Sequence, residues 1–258
     1  MATYLDRILA RHREQAALDS RSLDVLVADA SAMAPARGFA AALGAADSLH
    51  VISEIKRRSP SKGDLAIDLD AADTAAAYQR GGASCLSVLT DEEFFAGSML
   101  DLQQARAACA LPVLRKDFTV SLHDVCDARL MGADCVLLIA AALSRDELAE
   151  MHALAISIGL DVLVEIHDEA ELELALDAGA TVIGVNQRDL VTFQVDHDRA
   201  VRMAGVIPSH AVKVAESGVR GVDDAAVLHA AGYHAVLVGE TLVTSGDPAG
   251  TIRSLRAR

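Results

Sequence analysis

Cysteine is scarce in this 258-residue chain. The four cysteines form no CxxC pair, and at least two fall in apolar, strand-like segments; they are Cys85, Cys109, Cys126 and Cys135. Small buried thiols behave as hydrophobic side chains. We therefore expect reduced, buried thiols in a cytoplasmic protein.

Long apolar stretches are also missing. The longest apolar runs are short and interrupted, so none is expected to span a membrane. Residues 1–20 are charged and helix-like, which does not fit the apolar core of a secretory signal. A formal net charge of −14 argues against a nucleic-acid surface, although a local positive site could still bind a small anion. Hydrophobic residues make up 52% of the chain, which is enough for a sizeable core.

The signature motifs of several enzyme classes are absent from the sequence. No GxGxxG segment follows the first predicted strand, and no GxSxG elbow marks a serine hydrolase. The nine histidines form no HExxH motif or His-rich pair. His167 is a candidate for a pocket, whereas helix or surface positions fit His12, His152, His197 and His229. We expect no metal and no cofactor.

Lysine is rare, since nineteen arginines accompany only four lysines. The helices use arginine for surface charge, and the lysines fall in or just after predicted strands; they are Lys56, Lys62, Lys116 and Lys213. Lysine has a compact ammonium whose pKa responds to its surroundings, which arginine does not offer. We hypothesise that these lysines were retained for a function that needs such an ammonium.

A pattern of β-branched apolar run, polar loop and Ala/Leu-rich amphipathic segment repeats from residue 49 onwards. The predicted strands are Val51–Ile55, Cys85–Leu89, Pro112–Arg115, Cys135–Ile139, Asp161–Ile166, Thr181–Val185, Ala211–Val214 and Ala235–Val238. Several are introduced by a glycine that fits a helix C-cap, namely Gly82, Gly132, Gly179 and Gly232. Eight alternating units predict an α/β fold, a single (β/α)8 TIM barrel with parallel strands; a doubly wound open sheet is the alternative.

The first 48 residues contain helical patterns but no predicted strand. Three segments show helical spacing: Thr3–Ala17, about Leu23–Ala32 and Phe39–Leu43. This part is too small to have a core of its own. We predict that residues 1–258 form one domain, in which residues 1–48 are an N-terminal helical extension that caps the barrel.

The segment of residues 50–63 joins an apolar run to a charged end and a polar loop. Alternation along a strand places Ile52, Glu54 and Lys56 on one face. Burying a carboxylate and an ammonium on such a face costs free energy unless they pair or meet a ligand. The pattern is typical of a catalytic strand end, and a structural ion pair is the alternative.

Other predicted strands also end in charged or amide side chains. In a (β/α)8 barrel the active site lies at the carboxyl ends of the strands. With Glu54 and Lys56, the candidates there are Lys116, Glu165, Asn186, Arg188 and Glu216. Any one of them could be a structural ion pair or a loop cap, but together they indicate a catalytic site.

The last two strands are followed by turns that suit a phosphate group. Ser217 and Gly218 follow the seventh strand, and Gly239 and Glu240 follow the eighth and lead into a helix. Backbone N–H groups at such turns, with the helix dipole, bind anions in many barrels. Two ordinary glycine turns are the alternative.

Five segments in chain order form a specific combination: EIKRRSPSKG at Glu54–Gly63, LRKDF at Leu114–Phe118, LVEIH at Leu163–His167, GVNQRDL at Gly184–Leu190 and VAESG at Val214–Gly218. With these segments the chain resembles the indole-3-glycerol-phosphate synthases of tryptophan biosynthesis. The likeness extends from the leading helices, including Arg37-Gly38-Phe39, to the last strand. The resemblance implies a carboxy-lyase that cyclises, decarboxylates and dehydrates 1-(2-carboxyphenylamino)-1-deoxyribulose 5-phosphate.

The resemblance implies roles for the strand-end residues. Lys116 is implied as the general acid. Lys56 is implied to hold the substrate carboxylate and is a second candidate acid for the dehydration. Glu165 and Glu54 are the candidate bases, and the division of labour between them stays open. Two further residues are implied to fix substrate hydroxyls, Asn186 and Glu216.

The resemblance also implies the residues that bind the substrate. Those around the phosphate are Arg188, Ser217, Gly218, Gly239 and, through its backbone, Glu240. Those that form an apolar slot for the anthranilate ring are Pro60, Phe95, Phe118, Leu137 and Leu190, with Ser59 beside them in the first loop. Other family members can carry Asn in place of His167 and Ser in place of Glu240.

Two alternative functions remain at this point. One is another sugar-phosphate barrel enzyme such as phosphoribosylanthranilate isomerase, and the other is a non-catalytic phosphate-binding barrel. The first relies on Cys and Asp and the second needs no matched Lys and Glu set, so the strand ends argue against both. The expected partner is a phosphorylated small molecule, with no nucleic acid and no membrane.

We expect a monomer and leave open a weak association with other enzymes of the pathway. The loop Arg57–Asp64 is expected to be mobile and to close over the substrate.

Overall fold

A closed barrel of eight parallel strands forms the centre of the computed structural model, which describes residues 3–44, 48–189 and 191–256. The strands are β1 His50–Ile55, β2 Cys85–Leu89, β3 Val113–Lys116, β4 Cys135–Ile139, β5 Asp161–Ile166, β6 Val182–Asn186, β7 Val212–Glu216 and β8 Ala235–Val238. Each strand pairs with its neighbours in the chain, and β1 closes the barrel by pairing with both β2 and β8. The predicted (β/α)8 barrel is confirmed.

Three strands extend further than the sequence predicted. The strands β3, β6 and β7 end at Lys116, Asn186 and Glu216, because parallel pairing continues to these residues. Lys116 pairs with Leu89 of β2, and Asn186 pairs with Glu216. A polar residue after an apolar run suggests that the strand has already ended. In these three strands the polar residue is instead the last residue of the strand.

Helices follow the strands and also precede the barrel. They are α1 Tyr4–Leu18, α2 Leu23–Ser31, α3 Phe39–Ala42, α4 Ala71–Gly81, α5 Glu92–Phe95, α6 Met99–Ala108, α7 Leu122–Leu130, α8 Arg145–Ser157, α9 Glu169–Asp177, α10 Arg199–Ala204, α11 Val222–Ala230, α12 Glu240–Val243 and α13 Pro248–Arg256. Capping boxes at Thr3 and Ser144 satisfy free N–H groups at the starts of α1 and α8. The four glycines predicted after helices all have positive φ. Within the described ranges, no helix is long and apolar enough to cross a membrane.

Alternation along the strands divides the apolar residues into two layers. The larger layer lies between the strands and the outer helices. The inner layer fills the barrel, where Leu114, Leu163 and Val214 are fully buried. Two residues further along β3, β5 and β7, the same inward face presents charged side chains instead. The packed interior therefore supports the site from below.

The end of the barrel opposite these charged residues is filled from the N-terminal segment. Phe39, at the start of α3, is fully buried and packs with the inner apolar layer together with Leu43. Residues that precede the first strand thus contribute to the barrel core.

Replacement of Phe39 by Ala should lower the free energy of unfolding by about 3–5 kcal/mol, because a large buried ring is lost and a cavity remains. Urea denaturation measures this change. Leu18→Ala is the control, since Leu18 is 78% exposed and its loss should change stability by no more than about 0.5 kcal/mol. Equal costs for the two variants would contradict the role of Phe39 in the core.

Candidate active site

A cavity of about 520 Å³ opens at the carboxyl ends of the strands. Sixteen of the seventeen predicted site residues line it: Glu54, Lys56, Ser59, Pro60, Phe95, Lys116, Phe118, Leu137, Glu165, Asn186, Arg188, Glu216, Ser217, Gly218, Gly239 and Glu240. Leu190 lies outside the described residues. Side chains from distant parts of the chain therefore meet at one end of the barrel.

The centre of the cavity holds one ammonium between two buried carboxylates. The Nζ of Lys116 lies 3.3 Å from Oε2 of Glu165 and 3.9 Å from Oε2 of Glu216. The amide of Asn186 donates to the other oxygen of Glu165, over 3.0 Å. Both carboxylates are at most 2% exposed, so the ammonium is their main compensation for lost hydration.

These contacts set different protonation states for neighbouring groups. Burial alone would lower the pKa of Lys116, but the surrounding carboxylates outweigh it and the pKa is raised. Burial raises the pKa of Glu165, but the charges of Lys116 and His167 outweigh it and the pKa is lowered. Burial and the negative charge of Glu165 raise the pKa of Glu216 well above its usual range. These shifts favour an ammonium at Lys116, a carboxylate at Glu165 and a protonated carboxylic acid at Glu216.

A second ion pair lies at the carboxyl end of β1, in the same cavity as the first. Lys56 contacts Glu54 directly, and both side chains are largely buried. Alternation had predicted that the two residues share a face. Gly239 lies against this pair, and a Cβ at that position would overlap the Glu54 carboxylate. A residue without a side chain is needed there because the carboxylate occupies the space.

The opposite side of the cavity offers N–H groups and a guanidinium. Ser217 and Gly218 both have positive φ, 66° and 76°, and the carbonyl of Ser217 accepts a 2.8 Å hydrogen bond from Gln187. A Cβ at Gly218 would collide with Val195, so only glycine fits this turn. Arg188 donates to the carbonyl of Phe193 and, among the described residues, has no carboxylate within ion-pair distance. Its charge is available to an anion.

An aromatic wall closes another side of the cavity. The rings of Phe95 and Phe118 lie 6.1 Å apart between centroids, and Pro60 and Leu137 line the same space. Phe118 lies in a loop as expected, whereas Phe95 is the last residue of the short helix α5. These side chains provide an apolar surface next to the ion pairs.

The sequence did not predict the contribution of helix α1. Tyr4, Leu5 and Ile8 line the cavity, and the ring of His12 packs against Phe118 with its Nε2 3.0 Å from Asp91. The amphipathic pattern of α1 predicts which face of the helix is buried, but not the surface against which that face packs. The helix therefore belongs to the wall of the cavity.

One group of side chains near α1 has donor atoms close enough to hold a metal ion: His12, Asp91 and Asp117. Each carboxylate already has protein partners. Asp117 accepts from Arg115 and contacts Thr90, and Asp91 accepts from the backbone of Phe94. These contacts fix the loops that carry Phe95 and Phe118.

The first loop is anchored at its start. Arg57 forms a two-pronged ion pair with Asp101 of α6, with distances of 2.6 and 2.8 Å. The rest of the loop contains a small unpredicted hairpin, Arg58–Ser59 with Gly63–Asp64. Lys62 reaches Glu240 across the cavity entrance at 3.4 Å, and both side chains are about half exposed. An exposed pair of this kind contributes little stability and can open.

Three of the four lysines have the position that the hypothesis about lysine requires and the fourth does not; their function stays a prediction. Lys56, Lys62 and Lys116 line the cavity. Lys213 instead donates to the carbonyl of Ala204 at the end of α10, outside the cavity. Sequence composition alone could not distinguish the two faces of β7.

Solved structures of low sequence identity share the fold. Thiamine phosphate pyrophosphorylase from Pyrococcus furiosus superposes with a TM-score of 0.59 at 15% identity, over 80% of this chain and 92% of that one. A mandelate oxidase superposes with a TM-score of 0.60 at 16% identity, over 80% of this chain and 70% of that one. The barrel and the charged groups at its mouth define the chain as a (β/α)8-barrel enzyme.

Residues 5–255 match the model of the indole-3-glycerol phosphate synthase family, and the chain belongs to that family. Indole-3-glycerol phosphate synthase 2 of Streptomyces coelicolor is 53% identical over 226 residues, which are 88% of this chain and 87% of the relative. The indole-3-glycerol phosphate synthase of Leifsonia xyli subsp. xyli is 50% identical over 236 residues, which are 92% and 90% of the two chains. Family membership makes the chain a carboxy-lyase of tryptophan biosynthesis and decides against the isomerase and the scaffold.

Gly184→Ala should reduce turnover by about a hundredfold, because a Cβ there would overlap the Glu216 carboxylate and displace it from Lys116. Steady-state kinetics measures the change. Gly205→Ala is the control, since nothing lies within 4 Å of a Cβ at that position. Unchanged turnover in Gly184→Ala would show that the position of Glu216 is unimportant.

Proposed function

We propose that Lys116 and the carboxylates around it carry out the acid and base steps that turn 1-(2-carboxyphenylamino)-1-deoxyribulose 5-phosphate into indole-3-glycerol phosphate. The observation that carries this proposal is the Lys116 ammonium, held 3.3 Å from buried Glu165 at the centre of the cavity. The raised pKa of Lys116 keeps a proton available at neutral pH. A general acid must be protonated before the reaction starts.

Ring closure is the first step. The aromatic carbon that bears the carboxylate attacks the ketone carbon, and Lys116 gives its proton to the ketone oxygen as the new carbon–carbon bond forms. Loss of carbon dioxide returns its bonding electrons to the ring and restores aromaticity. The neutral Lys116 must then recover a proton. The ammonium is a suitable donor because it can release its proton, whereas a guanidinium retains it.

Dehydration completes the reaction. The hydroxyl leaves as water after protonation by an acid, for which Lys116 and Lys56 are the candidates. A base removes a proton from the carbon next to nitrogen, and the indole double bond forms. Glu165 is our preferred base because its lowered pKa keeps it ionised. Glu54 is the second candidate, although its contact with Lys56 reduces its freedom to act.

The neighbouring polar residues hold the substrate in place. Lys56 pairs with the substrate carboxylate until carbon dioxide leaves. Asn186 and Glu216 bind substrate hydroxyls, and a protonated Glu216 can both donate and accept a hydrogen bond. Orientation of this kind accounts for a large share of enzymatic rate enhancement.

The phosphate lies at the side of the cavity that carries Arg188 and the turn of Ser217 and Gly218. The unpaired guanidinium and the backbone N–H groups supply positive charge there. Gly239 and the backbone of Glu240 complete the group from β8. The phosphate thus lies apart from the reacting carbons.

The anthranilate ring packs against the aromatic wall. Phe95, Phe118 and Leu137 form its apolar surface, with Ser59 and Pro60 contributed by the first loop. The family resemblance implies the same role for Leu190, which lies outside the described residues. This loop closes over the substrate by motion beyond Arg57, which stays fixed by Asp101.

We also propose that residues 1–258 form one domain that acts as a monomer in the cytoplasm. The cap formed by residues 1–48 is supported by Ile8 at the cavity and Phe39 in the barrel core. A monomer is supported because one chain supplies every group named in this reaction. Four buried, free cysteines fit a reducing compartment.

Lys116→Ala should lower kcat by about two to four orders of magnitude while substrate binding is retained, because the acid is lost but the binding groups remain. Lys116→Arg should not restore turnover. Indole-product fluorescence measures turnover, and equilibrium titration measures binding.

Lys213→Ala is the matched control for this experiment, since Lys213 contacts Ala204 outside the cavity. Thermal unfolding of all three variants shows whether each is folded. If folded Lys116→Ala kept wild-type turnover, Lys116 could not be the acid.

A further inference from the structure

His167 lies directly behind Glu165 and is held by Glu171. It follows β5, two residues after Glu165, and does not line the cavity. Glu171 in the first turn of α9 accepts from the backbone N–H of His167 over 2.7 Å and faces its Nδ1 at 3.0 Å. A carboxylate can only accept hydrogen bonds, so Nδ1 must carry a hydrogen.

The other ring nitrogen of His167 is buried and has no hydrogen-bond partner among the described residues. Its nearest charged neighbour is Oε1 of Glu165, at 3.9 Å. A neutral ring would turn the lone pair of Nε2 towards this carboxylate, which is repulsive. A protonated ring would turn an N–H group towards it, which is attractive.

We propose that His167 is a cationic positioning residue, which Glu171 holds against Glu165 so that this carboxylate stays ionised and correctly oriented during turnover. The proposal rests on the proposed role of Glu165 as base. His167 does not touch the substrate in this arrangement.

A second cation near Glu165 matters because Lys116 gives its proton away. While Lys116 is neutral, it no longer compensates the buried negative charge of Glu165. Burial, which raises the pKa of Glu165, would then favour its protonation. His167 remains charged through this stage and keeps the base available.

The other charged groups that face these residues are few. Glu165 faces Lys116 on β3 and Glu216 on β7, and Glu54 on β1 acts on those two residues. His167 faces Glu165, Glu171 on α9 and Arg199 on α10. Burial and Arg199, which donates to the carbonyl of Asn186, both oppose a positive charge on His167, but Glu171 and Glu165 outweigh them and the pKa of His167 is raised. The carboxylates dominate.

The test is the pH dependence of kcat and kcat/KM for His167→Asn and Glu171→Gln. His167→Asn removes the positive charge, and Glu171→Gln removes the carboxylate that anchors it. Each variant keeps a polar side chain at the changed position. Loss of the cation should raise the pKa of Glu165, so the acid limb of both profiles should move to higher pH by about one unit. KM at the pH optimum should change less than about threefold, because His167 does not line the cavity.

Glu173→Gln is the matched control, since Glu173 is an exposed residue of the same helix. Its profile should superimpose on that of the wild type. The double variant of His167→Asn and Glu171→Gln should show no larger shift than His167→Asn alone, because both act through one cation.

Superimposable acid limbs in wild type and His167→Asn would overturn the proposal. So would a uniform loss of activity at every pH, which indicates a structural role. If His167→Asn does not fold, Glu171→Gln and NMR titration of the His167 ring in the wild-type enzyme decide: a ring that is neutral at pH 7 overturns the proposal. Glu165→Gln distinguishes a failure of this proposal from a failure of the proposed function. Full activity in that variant would show that Glu165 is not the base.

Discussion

The attraction between one buried ammonium and the carboxylates around it determines the chemistry of the barrel mouth. Glu165 and Glu216 are almost fully buried on the inward faces of β5 and β7, where burial and mutual repulsion disfavour two ionised carboxylates. Lys116 compensates Glu165, and the pKa of Glu216 is raised well above its usual range. The same interaction raises the pKa of Lys116, so the group that stabilises the site is also the proton donor of the proposed mechanism.

Parallel pairing explains why these groups meet. The register aligns Glu165 with Gly184 and Asn186 with Glu216, although each pair is separated by about 20 to 30 residues of chain. Gly184 and Gly239 leave the space that the carboxylates of Glu216 and Glu54 occupy. The turns that we propose to bind phosphate follow the adjacent strands β7 and β8. The proposed acid–base chemistry and phosphate binding therefore have separate positions in one cavity.

Local rules predicted the barrel and the inward residues well, because alternation and strand spacing are properties of short segments. Alternation correctly placed Glu54 with Lys56 and identified Glu165 and Glu216. It could not predict the contact of His12 with Asp91, since docking of α1 depends on residues that are 79 positions apart. Lys213 was misjudged because composition carries no information about which face of a strand a residue occupies. The small hairpin in the first loop was not predicted either, because its strands of two residues are too short to show an alternating pattern.

The protonation state of Lys116 can be measured directly, because the chain contains only four lysines. Carbon-13 labelling of the lysine Cε atoms gives four resolvable NMR signals, and Lys116→Arg identifies the one from Lys116. Titration of the ligand-free enzyme from about pH 6 to 10 should leave this signal unchanged, because the surrounding carboxylates retain the proton. A signal that titrates between about pH 7 and 9 would contradict the account, because the ammonium would then lack the stabilisation on which the proposed mechanism depends.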